Sequence, residues 1–143
     1  MMKIAFGKKP MVYLGCALSN SPQSFKDQIE YLRGRIEACA TVLKFLGLQP
    51  HISEAFQWDM NCVRRCDLLV ADVTYPSMGL GAEFGVALEH RKPIITLAND
   101  ALALERQLAY GYLDPLHFTL RYKTKEEAAE FVIAIIKELF PQA

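Results

Sequence analysis

Short, nearly continuous apolar runs alternate along this chain with longer stretches in which apolar residues recur every three or four positions. The clearest run is Leu68, Leu69, Val70, Ala71 and Val73, broken only by Asp72, as expected of a strand covered on both faces. Comparable runs predict strands over residues 11–17, 48–52, 67–73, 94–98 and 117–122. Between the first two, Phe25, Ile29, Leu32, Ile36, Cys39, Leu43 and Leu46 recur in steps of four and three. That spacing predicts one long helix, capped by Ser21 with Pro22 at its first position and stopped by Gly47. Further helices are expected over 57–65, over 81–91 before the stop at Pro93, and over 100–110 ending at Gly111. Thr124 and Glu127 form a capping box for a last helix that ends before Pro141.

Strands and helices that alternate in units of this length build right-handed βαβ crossovers. The expected fold is therefore α/β, a three-layer sandwich around a five-stranded parallel sheet of flavodoxin or Rossmann-like type. With 143 residues it forms a single domain, residues 1–143. Ligands of such sheets bind outside the carboxyl ends of the strands. The segment after the strand over 67–73 is therefore where chemistry is expected. Pro76, Gly79 and Gly81 read there as a sharp turn that lets the backbone approach a ligand, with Glu83 at the start of the following helix.

Composition narrows the partners. Sixteen basic side chains balance sixteen acidic ones, so no basic face suggests a nucleic acid polymer, and a small molecule is the expected partner. No 18-residue apolar span or signal-peptide core opens the chain, which predicts a cytoplasmic protein without membrane segments. The cysteines Cys16, Cys39, Cys62 and Cys66 lack CxxC spacing; they read as buried thiols, and no metal site is expected. Gly79, Gly81 and Gly85 are spaced GxGxxxG after the third strand, which does not match a dinucleotide fingerprint. No GxxxxGK[ST], HExxH or GxSxG motif occurs, and no cofactor is implied.

Asp59, Asp72 and Glu83 stand near strand ends or in loops. An acid at a helix start ordinarily complements the helix dipole, and Asp59 and Tyr13 have equally plain readings as a solvated acid and a core residue. The chemical reading of Glu83 is a nucleophile: a helix N-terminus favours the anion, which then stays deprotonated at neutral pH.

The run Ala71-Asp72-Val73-Thr74-Tyr75-Pro76-Ser77-Met78-Gly79-Leu80-Gly81-Ala82-Glu83-Phe84-Gly85 resembles the nucleoside 2-deoxyribosyltransferase superfamily, and within it most of all the 2'-deoxynucleoside 5'-phosphate N-hydrolases. The resemblance is dense over about 30 residues and weaker from Val12-Tyr13-Leu14-Gly15 to the final helix. It implies that Glu83 attacks the anomeric carbon, that Asp59 assists departure of the base, and that Tyr13 orients the catalytic carboxylate. It also implies that Ser77 and Gly79 hold a 5'-phosphate, with Gly15 and Gly81 completing the substrate site. Cleaving a C–N glycosidic bond builds positive charge on the sugar, which one carboxylate captures while a second carboxyl protonates the leaving base.

The resemblance leaves three classes open. Transferases acting on free nucleosides place an Asp where this chain has Ser77, and a carboxylate there would repel a phosphate, so Ser77 favours a nucleotide. The hydrolases carry a basic residue after the first strand, whereas this chain has Ala17-Leu18-Ser19-Asn20, leaving Arg106 or a partner subunit to supply charge. A non-catalytic nucleotide-binding module is the third class, against which Glu83 stands. Members of the superfamily are homodimers or larger assemblies, which makes the helices over 81–91 and 100–110 the expected interface. Base preference and the choice between ribose and deoxyribose stay open.

Overall fold

In the computed structural model, residues 8–43, 52–101 and 112–141 are described. They form strand β1 (Met11–Cys16), helix α1 (Gln23–Glu37), β2 (Thr41–Leu43), α2 (Ile52–Arg65), β3 (Leu68–Asp72), α3 (Met78–Glu89), β4 (Ile94–Asn99), β5 (His117–Tyr122) and α4 (Lys125–Leu139). All neighbouring strands pair in parallel, in the order β2-β1-β3-β4-β5. This is the expected three-layer α/β sandwich, with flavodoxin-like strand order. The strand order reverses between β1 and β3, so the crevice for a ligand opens at their carboxyl ends.

The alternation within each strand separates two cores. Val12 and Leu14 of β1 and Val70 of β3 face α1 and α4, where Ile29, Leu32, Ile36, Val132 and Ile136 close over them. Tyr13, Leu69 and Ala71 face the opposite side, against Cys62 and Val63 of α2 and Leu80 and Ala87 of α3. Strands β3 and β4 are buried at every position, which explains their near-continuous apolar runs.

Several boundaries differ from the sequence expectation. Helix α1 ends at Glu37, and Thr41–Leu43 forms β2, pairing Met11 with Thr41 and Val12 with Val42. The four-and-three spacing continues past the helix, but Thr41 and Val42 are β-branched and find a parallel partner, which outweighs the periodicity. The second strand among the described residues is β2; of the strand expected over 48–52, residues 48–51 lie outside the described residues, and Ile52 begins α2. Helix α2 starts five residues earlier than expected. Pro22 is the N-cap of α1, at φ −73° and ψ 160°, and Ser21 donates instead to the Ala17 carbonyl at 2.8 Å. Thr124 caps α4 as expected, its hydroxyl oxygen accepting from the Glu127 N–H at 3.1 Å. Asp100 and Ala101 form a turn, and the rest of the helix expected over 100–110, with Gly111, lies outside the described residues.

Candidate active site

Helix α3 begins at Met78, three residues before the expected start, because Ser77 caps it. The Ser77 backbone is extended, and its hydroxyl oxygen accepts from the Leu80 N–H at 3.2 Å. Gly79 and Gly81 consequently lie in the first turn of the helix rather than in a turn ahead of it. Both are exposed, and a Cβ on Gly81 would meet nothing within 4 Å. At these two positions the entrance of α3 presents backbone without a side chain. Ser77 keeps its hydroxyl hydrogen for another acceptor. From the β1–α1 loop, the Asn20 amide donates to the Pro76 carbonyl at 3.0 Å and ties the two loops of the crevice together.

Glu83 is the sixth residue of α3, one turn past the point where the helix dipole acts. It is buried on the side facing β1. The Tyr13 hydroxyl, itself buried, donates to Glu83 Oε1 at 2.9 Å. The other carboxylate oxygen lies against the backbone of Gly15, two residues along β1, where a Cβ would stand 2.6 Å from Oε2. Gly15 is thus a seat for the carboxylate. Asp59, half-buried on α2, is the third member: its charge acts on both Tyr13 and Glu83. Residues 13, 15 and 83 therefore meet toward the carboxyl end of β1, with Asp59 near enough for its charge to act on Tyr13 and Glu83.

The electrostatics reverse one sequence expectation. Burial pushes the Glu83 carboxyl up to about 7, with the Tyr13 hydrogen bond opposing and the Asp59 charge adding to the rise. Glu83 is therefore not fixed as an anion at neutral pH; it is poised there. Burial, then the charges of Glu83 and Asp59, raise the Tyr13 phenol, so it remains a donor. Tyr13→Phe removes the one contact that favours the anion. A lost hydrogen bond to a buried charge costs about 1–2 kcal/mol, so the acid limb of a pH–rate profile should move upward by about one unit. An unmoved limb in Tyr13→Phe would remove Tyr13 from this role.

Burial likewise raises the thiols of Cys16 and Cys66, each to about 12, and those of Cys39 and Cys62. These are protonated thiols, with Cys66 donating to the Val63 carbonyl at 3.0 Å. Among the described residues no group of three His, Cys, Asp or Glu side chains is placed to hold a metal ion, and no helix is long and apolar enough to cross a membrane. Beside Asp59 on α2, Met60 is core, whereas Phe56 and Trp58 are 53% and 46% exposed. Arg106 lies outside the described residues. Asn20 acquires a role that sequence signals did not carry, since it depends on a contact between loops far apart in the chain, whereas Gly15, expected in the substrate site, seats the Glu83 carboxylate.

No family model matches the chain. Over 112 residues it is 31% identical to “Putative 2'-deoxynucleoside 5'-phosphate N-hydrolase 1” of Methanosarcina mazei, spanning 72% of this chain and 69% of that protein. The chain belongs to this N-hydrolase family. The members are N-glycosyl hydrolases by name, enzymes that cleave the bond between sugar and base. A shorter match, 42% identical over 52 residues, links the chain to the protein of the same name from Thermofilum pendens. It covers 36% of this chain and 35% of that one, so the chain matches well under two thirds of that relative. Among solved structures, the CMP N-glycosidase of Clostridium botulinum superposes with a TM-score of 0.65 at 22% identity, over 87% of this chain and 98% of the other. That likeness places the family member in the expected fold.

Proposed function

We propose that the protein hydrolyses the N-glycosidic bond of nucleoside or deoxynucleoside 5'-monophosphates, releasing the free base and the sugar 5-phosphate. The observation that carries this reading is the buried Glu83 carboxylate, held between the Tyr13 hydroxyl and the Gly15 backbone at the mouth of β1 and β3. In the first step a Glu83 oxygen attacks C1' and the C1'–N bond breaks. Its electrons leave with the base, which takes a proton from Asp59. In the second step water attacks C1', the ester to Glu83 opens, and the proton from water returns to Asp59. Developing positive charge on the sugar draws the anionic form of Glu83, whose pKa near 7 makes it available at neutral pH.

Ser77 and the first turn of α3 receive the 5'-phosphate, with Gly79 and Gly81 giving access to backbone N–H groups. Phe56, one turn before Asp59 on α2, offers an exposed aromatic face for stacking of a base. The relatives' names, which specify 5'-phosphates, support the same substrate class. The protein works in the cytoplasm as a homodimer or larger assembly, with the outward face of α3 as a contact; Met78 there is 95% exposed. Light scattering showing a monomer would overturn that assembly.

Incubation with a panel of nucleosides and 5'-monophosphates, with and without a second free base, tests the activity. Free base plus sugar 5-phosphate is expected. Base exchange without net hydrolysis would instead assign a transferase, and no turnover of any substrate would leave a nucleotide-binding module.

A further inference from the structure

Asp72 is the last residue of β3 and lies 1% exposed on the α1/α4 side of the sheet, opposite the side that carries Tyr13 and Glu83. It touches nothing in the proposed chemistry, yet three donors converge on it. Oδ1 accepts from the Thr74 N–H at 3.0 Å and from the Thr74 hydroxyl at 2.5 Å, while Oδ2 accepts from the Tyr122 hydroxyl at 2.7 Å. The Thr74 hydroxyl oxygen in turn accepts from the Asn99 N–H at 2.9 Å. The carboxyl ends of β3, β4 and β5 are thus joined through a single buried carboxylate. Gln28 of α1 and Lys125 of α4 line the small cavity of about 10 Å3 beside it, room for one water.

A fully partnered buried network of this kind has one low-energy arrangement, because any displacement leaves a buried polar group unpaired. Thr74 opens the connection from β3 to α3; Ser77 ends it and caps the helix six residues before Glu83. The same connection is held at Pro76 by Asn20. We propose that Asp72 is a positioning residue for Glu83: from the far face of the sheet it fixes the turn over residues 73–77 and so sets where α3 delivers its carboxylate to Tyr13 and Gly15. The catalytic meaning of this rests on the function proposed above; the positioning itself does not.

Two variants test it. Asp72→Asn keeps the shape and turns an acceptor into a donor, and Tyr122→Phe deletes a single hydroxyl. Each is compared with the wild type by circular dichroism, by the 13C titration midpoint of the Glu83 carboxyl, and by kcat/KM on whichever substrate the wild type cleaves. Tyr13 from β1 and Asp59 from α2 act on Glu83, the thiols of Cys16 on β1 and Cys62 on α2 feel its charge, and none of these is altered. Burial raises the Glu83 carboxyl and the Tyr13 hydrogen bond lowers it, so a displaced carboxylate should titrate at a midpoint changed by about half a unit or more. A displacement near 1 Å should lower kcat/KM by about 100-fold in Asp72→Asn and about tenfold in Tyr122→Phe. A purely structural role would lower Tm without moving the Glu83 midpoint in the folded protein. If the variants fold and both midpoint and rate stay at wild-type values, the proposal fails. If Asp72→Asn does not fold, Tyr122→Phe decides. A wild type without turnover would count against the proposed function alone, and the midpoint would then decide the positioning.

Discussion

Glu83→Gln should abolish turnover and, at alkaline pH, make the protein more stable. The sign follows from where the proton sits. In the unfolded chain the carboxyl titrates near its ordinary value of 4.5, whereas in the folded protein burial raises it to about 7. The folded state therefore holds the proton more tightly. That contribution is complete below about pH 4.5 and is lost as the pH rises through 7. A difference of this size corresponds to about 3 kcal/mol, the cost of keeping an anion at a site only 8% exposed. Glutamine stays neutral at every pH, occupies nearly the same volume, and still offers an oxygen to the Tyr13 hydroxyl. Thermal unfolding at pH 5 should show little difference between the two proteins. At pH 8.5 the variant should gain up to about 3 kcal/mol, on the order of 5–10 °C in Tm. Loss of the attacking group should lower the rate by about 10³-fold or more. A variant equally destabilised at both pH values would show that Glu83 is not held as a buried, protonatable carboxyl.

The sequence disclosed this fold because its strands are of the kind that announce themselves. Strands β3 and β4 are covered on both faces, so their apolar runs are nearly unbroken, and parallel pairing follows from the helices between them. The resemblance of their surrounding motifs pairs Glu83 with Tyr13, 70 residues apart, and the structure joins them by a direct hydrogen bond. The failures are of a different kind. The spacing through Cys39 and Leu43 is helical on paper, but a parallel partner in β1 captured Thr41–Leu43 as a strand. Local periodicity carries no information about that partner. Gly79 and Gly81 read as turn residues, yet the Ser77 cap and the packing of Leu80 and Ala87 extend α3 back over them. Once the helix starts at Met78, Glu83 is no longer a first-turn residue. Its protonation is then governed by burial against β1, which no neighbour in the sequence signals. Asp72 is visible as the one polar break in an apolar strand, but its partner Tyr122 comes from strand β5, and Asn99 of β4 is joined to it only through Thr74.

Gly15→Ala should be the most damaging single-methyl change at the site, and damaging to rate more than to stability. Gly15 pairs with Ala71 in the middle of the sheet, so its backbone has no room to retreat. A Cβ there would stand 2.6 Å from Glu83 Oε2 and 2.8 Å from Leu80 Cδ1, both closer than atoms tolerate. Each of these atoms ends a flexible side chain and can swing aside, which limits the loss of stability to about 1–3 kcal/mol. The carboxylate, however, can swing only away from β1. That movement stretches or breaks the 2.9 Å hydrogen bond from Tyr13 and carries the oxygens off the position from which they would reach C1'. Misplacement by about 1 Å costs on the order of 100-fold in rate. The expected variant is folded, melts a few degrees lower, and turns over about 100-fold more slowly. A further sign separates displacement from simple loss of fold: once pushed from its seat, Glu83 changes both its burial and its Tyr13 hydrogen bond, so its midpoint should leave the wild-type value near 7 and the acid limb of the residual activity should move with it. Wild-type rates in a folded Gly15→Ala protein would show that the carboxylate does not need the space this glycine leaves.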